Sequence, residues 1–371
     1  MNSLRCLALA FTAALGGCVS APQTVTTQPS GAAPHVGHVF VIVLENQPFD
    51  KTFGVDSPAP YLAHNLVASG ALLNQYFGIG HFSLDNYLAM ISGQAPNTAT
   101  QGDCAVFSDF VATAHGLDAD GQLPGEGCVY PATVKTVADQ LEAAGLGWKG
   151  YMEDMGNDPA REAPACGHVA IGAKDHTNHA TATDQYADKH NPFVYFHSII
   201  DNRVRCEKHV VNLDALSHDL RSVATTPNFA YITPNLCHDG HDSPCKNGEP
   251  GGLVSADAFL RAWVPRILAS PAFMRDGLLV ITFDEGVLDS SACCGERGLG
   301  GGPRPGIDGP GGGRIGAVLI GPSIKPGTRS DVPYNHYSLL RWIEDNFHLS
   351  HLGYAAAPGL ATFGSDVFAR P

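Results

Sequence analysis

Two apolar runs that end on acidic residues constrain this sequence more than any other feature. One run leads directly into Asp284 and Glu285, and another leads directly into Glu45 and Asn46. Neither run alternates with polar residues, which is typical of strands that are covered on both faces of a parallel sheet. The pattern therefore predicts a buried sheet that gathers three carboxylates and one amide at a single edge.

The remaining periodic segments predict an α/β fold, a three-layer sandwich with a mostly parallel central sheet, because strands and helices alternate along the chain. A stretch rich in glycine and proline, residues 298–313, is predicted to be a loop beside the acids that follow the later run. The predicted strands cover residues 38–44, 148–153, 228–233, 278–283 and 315–320. The predicted helices cover residues 83–92, 133–144, 209–222, 256–269 and 336–347.

The residues at the two strand ends are candidate metal ligands. Ligands of open α/β sheets bind beyond the carboxyl ends of the strands, where Glu45, Asn46, Asp284 and Glu285 are expected. Their oxygen atoms suit Mg²⁺, Ca²⁺ or Mn²⁺, and Zn²⁺ becomes an option if an imidazole joins them. For any one acid the alternative is a helix cap or a loop salt bridge. The four residues together favour a divalent metal site.

Ser83 opens a predicted helix, where it serves either as an N-cap or as a nucleophile. The free N–H groups and the dipole of a helix N-terminus stabilise an alkoxide and the anion that it attacks. A metal bound nearby would lower the pKa of the hydroxyl further.

A group of imidazoles and a carboxylate follows another predicted strand end. His238, Asp239 and His241 lie within four residues of one another after the predicted strand 228–233. Such a cluster favours metal binding or proton transfer over a set of merely solvated loop residues. His336 begins the last predicted helix, and its position is compatible with a capping role or with a role in the site.

The N-terminal sequence predicts export and a lipid anchor. Arg5 precedes an apolar stretch, residues 7–15, that is too short to span a membrane. The residues up to Cys18 resemble the cleavage box of bacterial lipoproteins, with a plain signal peptide as the alternative. The predicted organisation is a signal peptide at 1–17, a lipidated N-terminus with a flexible tether at 18–37, and one domain at 38–371.

A lipid-anchored chain of this kind is expected in the bacterial cell envelope, on the periplasmic side or at the surface of the outer membrane. Val19 stands where an aspartate commonly retains lipoproteins at the inner membrane, which favours the outer membrane. The formal net charge of −14 argues against nucleic acid as a partner. Contact with the membrane is expected through the N-terminal lipid anchor.

Eight cysteines remain once Cys6 is removed with the signal peptide and Cys18 is assigned to the lipid. An even number of cysteines in an exported chain favours disulfides, and thiolate metal sites are the weaker alternative because no CxxC spacing occurs. Connectivity cannot be deduced from the sequence. The order along the chain suggests the pairs Cys104–Cys128, Cys166–Cys206 and Cys237–Cys245, and it leaves Cys293 and Cys294.

Six motifs in the same order resemble the phosphoesterase family that contains bacterial phospholipases C and related acid phosphatases. The resemblance spans residues 38–347 and implies an alkaline-phosphatase-like fold with metal-dependent hydrolysis of phosphate esters. Phe82 and Asp85 depart from the family pattern, which has prolines at these two positions. The motifs are Glu45–Gly54, His81–Tyr87, Lys189–Phe196, Pro234–His241, Thr282–Gly286 and the closing segment Arg314–Leu340.

The resemblance also implies roles for individual residues. Ser83 would be the nucleophile, and the divalent cation would be held by the four residues at the strand ends. Other residues would surround the phosphate or the leaving group, namely His81, His190, His238 and His336. Further site candidates within the motifs are Asn86, Asp239 and His241.

The short chain favours the acid-phosphatase type of the family, a phosphomonoesterase with a phosphoester as its substrate. Of its histidines, His238 and His336 are the expected proton donors to the leaving alcohol. The first alternative function is a phospholipase C or another phosphodiesterase. The second alternative is a lipid-anchored envelope protein that binds a ligand without catalysis.

Overall fold

The computed structural model describes residues 35–299 and 304–369. Within them, eight strands form one central sheet and four short strands form two pairs outside it. In chain order the strands are β1 (His38–Leu44), β2 (Ala71–Leu73), β3 (Tyr76–Phe77), β4 (Val111–Ala112), β5 (Gly125–Glu126), β6 (Trp148–Met152), β7 (Val210–Asn212), β8 (Phe229–Thr233), β9 (Gly277–Phe283), β10 (Ala317–Ile320), β11 (Thr328–Ser330) and β12 (Tyr334–Asn335).

Capping residues fix the ends of several helices. Capping boxes open the helices that follow Thr136 and Asn335, and Gly93, with a φ of 68°, ends the helix that begins at Ser83. The α-helices are α1 (Phe49–Phe53), α2 (Val67–Ser69), α3 (Ser83–Ser92), α4 (Val137–Ala143), α5 (His197–Ile200), α6 (Arg203–His209), α7 (Asp214–Asp219), α8 (Gly252–Leu268), α9 (Pro271–Asp276) and α10 (His336–Asn346). A π-helical turn covers Tyr61–Leu66, and 3₁₀ turns cover Thr100–Gly102, Asp188–His190, Pro192–Tyr195 and Gly353–Ala356.

The central sheet is mostly parallel, with the strand order β11-β2-β10-β9-β1-β8-β6-β7. Among these strands, β10 runs antiparallel to both of its neighbours, and the other pairs are parallel. β1 lies between β9 and β8, and all seven of its residues are buried. Its continuous apolar sequence therefore reflects cover on both faces of the sheet.

Helices cover both faces of the sheet. Phe40 of β1 packs against Phe273 of α9, whereas Tyr231 of β8 packs against Tyr87 of α3. Tyr231 is in register with Val41, the residue after Phe40. Because successive residues of a strand point to opposite faces, α9 and α3 lie on opposite sides of the sheet. The predicted three-layer α/β sandwich is confirmed.

All five predicted strands are present, and four of the five predicted helices are present with small shifts at their ends. The helix predicted over 209–222 is wrong. Residues Val210–Asn212 form the edge strand β7, which pairs with β6, and α6 and α7 lie on either side of it. Two adjacent β-branched residues favour a strand here over the weak helical periodicity of the segment.

The three disulfide pairs suggested by the sequence are present, and a fourth bond joins the adjacent residues Cys293 and Cys294. The predicted signal peptide, Cys18 and residues 18–34 of the predicted tether lie outside the described residues. Within the described residues, no helix combines the length and the hydropathy that crossing a bilayer requires.

Candidate active site

The carboxyl ends of three central strands bring three acids side by side. β1 is paired in parallel with both β8 and β9. The N–H of Glu45 donates to the carbonyl of Asp239, and the N–H of Asp284 donates to the carbonyl of Leu44, both at 2.8 Å. The N–H of Asn46 donates to Oδ1 of Asp284 at 2.9 Å. These bonds extend the sheet by one residue and fix the acids beyond its edge.

Glu45 is fully buried and contacts four other site residues. Ser83 donates its hydroxyl hydrogen to Oε2 of Glu45 at 2.8 Å, and Tyr87 donates to Oε1 at 2.6 Å. Nδ2 of Asn46 donates to Oε2 at 3.4 Å. Nε2 of His190 lies 3.3 Å from Oε1, and its ring stacks on Tyr87 with 5.2 Å between centroids. Ser83 and Tyr87 are four residues apart, so α3 presents both donors on one face.

Glu45, His190 and Asp239 form a buried cluster of potential metal ligands. Each offers one ligand atom within 4.8 Å of the other two, and Nδ1 of His190 lies 3.1 Å from Oδ2 of Asp239. The contacts of His190 with Glu45 and Asp239 are close but do not have hydrogen-bond geometry. Nε2 of His190, Oδ2 of Asp239 and Oδ2 of the neighbouring Asp284 therefore lack a hydrogen-bond partner among the described residues. Buried polar atoms without partners are rare in native proteins, and a cation among these acids would satisfy them.

The pKa values in the cluster are consistent with a cation site. Burial, followed by the charges of Asp284 and Asp239, raises the pKa of Glu45 well above its usual value. Burial and the charge of Asp284 act in the same way on the pKa of Asp239, and burial raises the pKa of Asp284 to about 7. Burial, followed by the charge of Lys189, lowers the pKa of His190 well below its usual value. Neutral imidazole is the form that binds metals.

Asn86 holds the loop that leads into Ser83. Its side-chain oxygen accepts hydrogen bonds from the N–H groups of Ile79 at 2.7 Å and of Gly80 at 3.1 Å. Its side-chain nitrogen donates to the carbonyls of Gly80 and Phe82, both at 2.9 Å. These four bonds set where α3 begins, so Asn86 is a positioning residue for Ser83, which is only 3% exposed.

His81 and Glu285 form a second group, next to the acid cluster. Nδ1 of His81 contacts Oε2 of Glu285, and Nε2 donates to the carbonyl of Asp289 at 3.1 Å. Burial lowers the pKa of His81. The N–H of His81 donates to the carbonyl of Pro305 at 3.0 Å, so the glycine-rich loop packs on this group. Glu285, a predicted ligand, thus contacts an imidazole instead of the buried cluster.

His336 lies beneath Asp284. Its Nε2 donates to the carbonyl of Asp284 at 2.6 Å, and its Nδ1 accepts from the hydroxyl of Tyr76 at 3.2 Å. Burial lowers the pKa of His336 to about 4, so the ring is neutral near pH 7. With both nitrogens engaged, His336 supports the acid strand end and is poorly placed to deliver a proton to a leaving group.

His238 lies between two glutamates. Its Nδ1 is 2.9 Å from Oε1 of Glu153, and its Nε2 is 3.1 Å from Oε2 of Glu249. Burial alone would lower its pKa, but these carboxylates raise the pKa to about 9. The structure therefore brings His238 to Glu153 and Glu249. A proton donor to the leaving group would have to lie near Ser83 or Glu45, and His238 contacts neither.

A cavity of about 450 Å³ lies beside the acid cluster. Asn46 and His241 are among its lining residues, and Val254 and Val287 contribute apolar surface to it. Nδ1 of His241 lies 2.8 Å from Oδ1 of Asp242. Because Asn46 lines it, the cavity lies at the end of β1 and offers space for a substrate.

Sequence reasoning assigned no role to Tyr87 or Lys189, although both belong to the motifs. The position of Tyr87, four residues after Ser83, is a usable signal because it places both side chains on one face of α3. Lys189 precedes His190, but its partners Asp103 and His241 are 86 and 52 residues away along the chain. No local pattern predicts contacts of that kind.

Comparison with known proteins places these motifs in context. Residues 56–350 match the Phosphoesterase family. A probable acid phosphatase of Kluyveromyces lactis is 27% identical over 317 residues, which cover 85% of this chain and 59% of that protein. The phosphatidylinositol-3-phosphatase of Mycobacterium tuberculosis is 26% identical over 338 residues, which cover 91% of this chain and 86% of that protein.

The chain spans little more than half the length of the fungal acid phosphatases that it matches. Among solved structures, that of Ps i-CgsB is similar with a TM-score of 0.50 and 12% identity. The similarity covers 88% of this chain and 75% of that one, and it concerns the fold alone.

Proposed function

We propose, from the premise that this chain belongs to the Phosphoesterase family, that it hydrolyses phosphate monoesters with Ser83 as its nucleophile. The observation that carries the proposal is the hydrogen bond from the Ser83 hydroxyl to Glu45, inside a buried cluster of acids. A carboxylate that accepts this hydrogen orients the oxygen and increases its nucleophilicity. The acid phosphatases and the phosphatidylinositol-3-phosphatase among the relatives support the same reaction class.

A divalent cation fits the residues at the strand ends. Glu45, Asp239 and Asp284 would hold it, with His190 as an imidazole ligand, because three of their buried atoms lack partners among the described residues. Asn46 and Glu285, which the family resemblance also implies, border this set. When bound, the cation offsets the negative charge that develops on the phosphoryl oxygens. The mixed set of oxygen and nitrogen atoms suits Mn²⁺ or Zn²⁺ as well as Mg²⁺.

The chain's own residues then have the following roles. Ser83 Oγ attacks phosphorus in line and gives its proton to Oε2 of Glu45, the bond to the ester oxygen breaks, and the alcohol leaves with a proton. That proton comes from solvent, because both ring nitrogens of His81 are engaged, one by Glu285 and the other by the carbonyl of Asp289. In the second half of the reaction, water attacks phosphoserine, phosphate is released, and Glu45 returns the proton to the oxygen of Ser83. Tyr87 holds Glu45 in place throughout.

The nucleophile can be tested by replacing Ser83 with Ala and measuring turnover of p-nitrophenyl phosphate together with the metal content. We expect activity to fall by about 1000-fold or more while the metal stays bound. Ser92→Ala is a matched control, since Ser92 is a buried serine at the other end of α3 that bonds to the carbonyl of Leu88. Full activity in Ser83→Ala would falsify the assignment.

A second candidate function, hydrolysis of phospholipid diesters, draws support from the cavity. Val254 and Val287 line it and are 48% and 41% exposed, so an apolar substituent would find contacts there. Turnover of p-nitrophenyl phosphate against p-nitrophenyl phosphorylcholine separates the two candidates. A higher kcat/KM for the choline ester would favour the diesterase. Turnover of neither, with metal bound, would favour a non-catalytic binding protein.

The lipid anchor remains a proposal that rests on the sequence around Cys18. We propose that Cys18 is acylated after cleavage and holds the enzyme in the cell envelope. In cells, Cys18→Ser should move the protein from the detergent phase to the aqueous phase in Triton X-114 partitioning. A wild-type protein that is found in the aqueous phase would contradict lipidation.

A further inference from the structure

Lys189 is a buried cation that the mechanism above leaves unused. Its side chain is only 7% exposed. It belongs to the 3₁₀ turn Asp188–His190, so it immediately precedes His190, which contacts Glu45. The burial of an ammonium group is costly unless its hydrogens are bonded, and the partners of Lys189 therefore indicate what the residue does.

The ammonium joins the helix of the nucleophile to the wall of the cavity. Its Nζ donates to Oδ2 of Asp103 at 2.9 Å, and Oδ1 of Asp103 accepts the N–H of Leu84, the residue after Ser83. Nζ also lies 3.4 Å from Nε2 of His241, which lines the cavity. The Nδ1–H of His241 faces Asp242, which leaves Nε2 as the acceptor for the lysine.

Two of the three N–H donors of Lys189 are thus accounted for, and the third has no acceptor among the described residues. The ammonium of Lys189 forms an ion pair with Asp103, whose side chain is 13% exposed. A buried ammonium with a spare donor, bonded to a histidine of the cavity wall and to an aspartate that holds the first turn of α3, is suited to an anionic ligand atom.

We propose that Lys189 is a catalytic residue that binds a non-bridging phosphoryl oxygen and selects dianionic monoesters over monoanionic diesters. This inference rests on the proposed function. A terminal phosphate carries up to two charges and a diester carries one, so a fixed ammonium attracts the monoester about twice as strongly. Asp103 is then a positioning residue, since it orients the ammonium and bonds to the first turn of α3.

The simplest alternative is that Lys189 serves only to neutralise Asp103. In that case breaking the ion pair from either side would weaken the site in the same way for every substrate. The ratio of kcat/KM for p-nitrophenyl phosphate to kcat/KM for bis-p-nitrophenyl phosphate separates the two roles. A purely structural role would leave this ratio unchanged.

The experiment measures this ratio in the wild type, in Lys189→Met and in Asp103→Asn, with metal content and Tm recorded for each. We expect Lys189→Met to lower kcat/KM about 100-fold for the monoester and less than about fivefold for the diester. Asp103→Asn keeps the ammonium, so the ratio should stay near the wild-type value. If Lys189→Met does not fold, the pair Lys189→Met/Asp103→Asn, which leaves no buried charge unpaired, is compared with Asp103→Asn alone.

Equal losses on both esters, or no loss, in the lysine variant would overturn the inference. Binding of inorganic phosphate, measured by calorimetry on the metal-loaded protein, provides a readout that does not depend on turnover. Lys189→Met should weaken phosphate binding at least about tenfold, and unchanged binding would count against the proposal. A wild type that binds phosphate through Lys189 but hydrolyses neither ester would contradict the proposed function and leave the anion contact standing.

Discussion

The hydroxyl of Ser83 donates to Oε2 of Glu45 across 2.8 Å, although 38 residues separate them along the chain. Glu45 directly follows β1, and Ser83 is the first residue of α3. The distance between the proposed nucleophile and an acid of the proposed metal cluster is therefore fixed by the contact between the end of β1 and the start of α3. Any substitution of Glu45 should therefore affect both the orientation of Ser83 and the binding of the cation.

Replacing Glu45 with Gln should lower kcat for p-nitrophenyl phosphate by about 100-fold or more, because it removes the charge that orients Ser83 and attracts the cation. Tyr87→Phe is a matched control, since it removes the hydrogen bond to Oε1 but keeps the ring that stacks on His190. We expect a loss of about tenfold for that variant. Steady-state kinetics on both variants provide the test. A lower kcat for Tyr87→Phe than for Glu45→Gln would contradict this account.

Metal titrations can separate the two groups of acids. Asp239 lies in the buried cluster with Glu45 and His190, whereas Glu285 contacts His81. Asp239→Asn should therefore raise the Kd for the cation by about 100-fold, and Glu285→Gln by about tenfold. The measurement is calorimetric titration of metal-free protein. A larger effect at Glu285 would return that residue to the ligand set implied by the family resemblance.

The fold was predictable because its signals are local. The runs that became β1 and β9 are continuously apolar, and the start of α3 at Ser83 and of α10 at His336 matched the predicted positions. The short strands β2, β7 and β11 were missed because three-residue segments at or near a sheet edge carry little periodicity. Val210 and Val211 adopt strand geometry through their pairing with β6, which no local helical pattern reveals.

The sequence predicts most of the residues that belong to the site, but it does not predict which of them contact one another. The acids of β1 and β9 could be placed at one edge, since parallel neighbours end together. Which imidazole faces which acid depends on side-chain directions in loops. His190 reaches Glu45 and Asp239 from a 3₁₀ turn, while His238, three positions before His241, turns away to Glu153. Contacts over such sequence distances follow from tertiary packing.

His238 should contribute to stability more than to catalysis. Its pKa in the folded protein, about 9, lies above the unfolded value near 6.5. The stabilisation is therefore complete below pH 6.5 and is lost as the pH rises through 9. His238→Gln should cost about 1 kcal/mol at pH 6, allowing for solvent screening of a partly exposed ring, and almost nothing at pH 10. Chemical denaturation at both pH values tests this. An inactive variant of normal stability would instead support His238 as the proton donor.

We expect Glu344 to make the protein less stable at alkaline pH. The side chain is fully buried in α10, Oε1 accepts the N–H of Leu352 at 2.9 Å, and Oε2 has no partner among the described residues. Burial raises its pKa to about 9, so the folded state binds a proton that the unfolded state releases near pH 4.5. Stability therefore falls as the pH rises between these values. Glu344→Gln should gain on the order of 2 kcal/mol at pH 8 and little at pH 4.5, as measured by thermal unfolding. An equal gain at both pH values would show that packing, and not ionisation, is responsible.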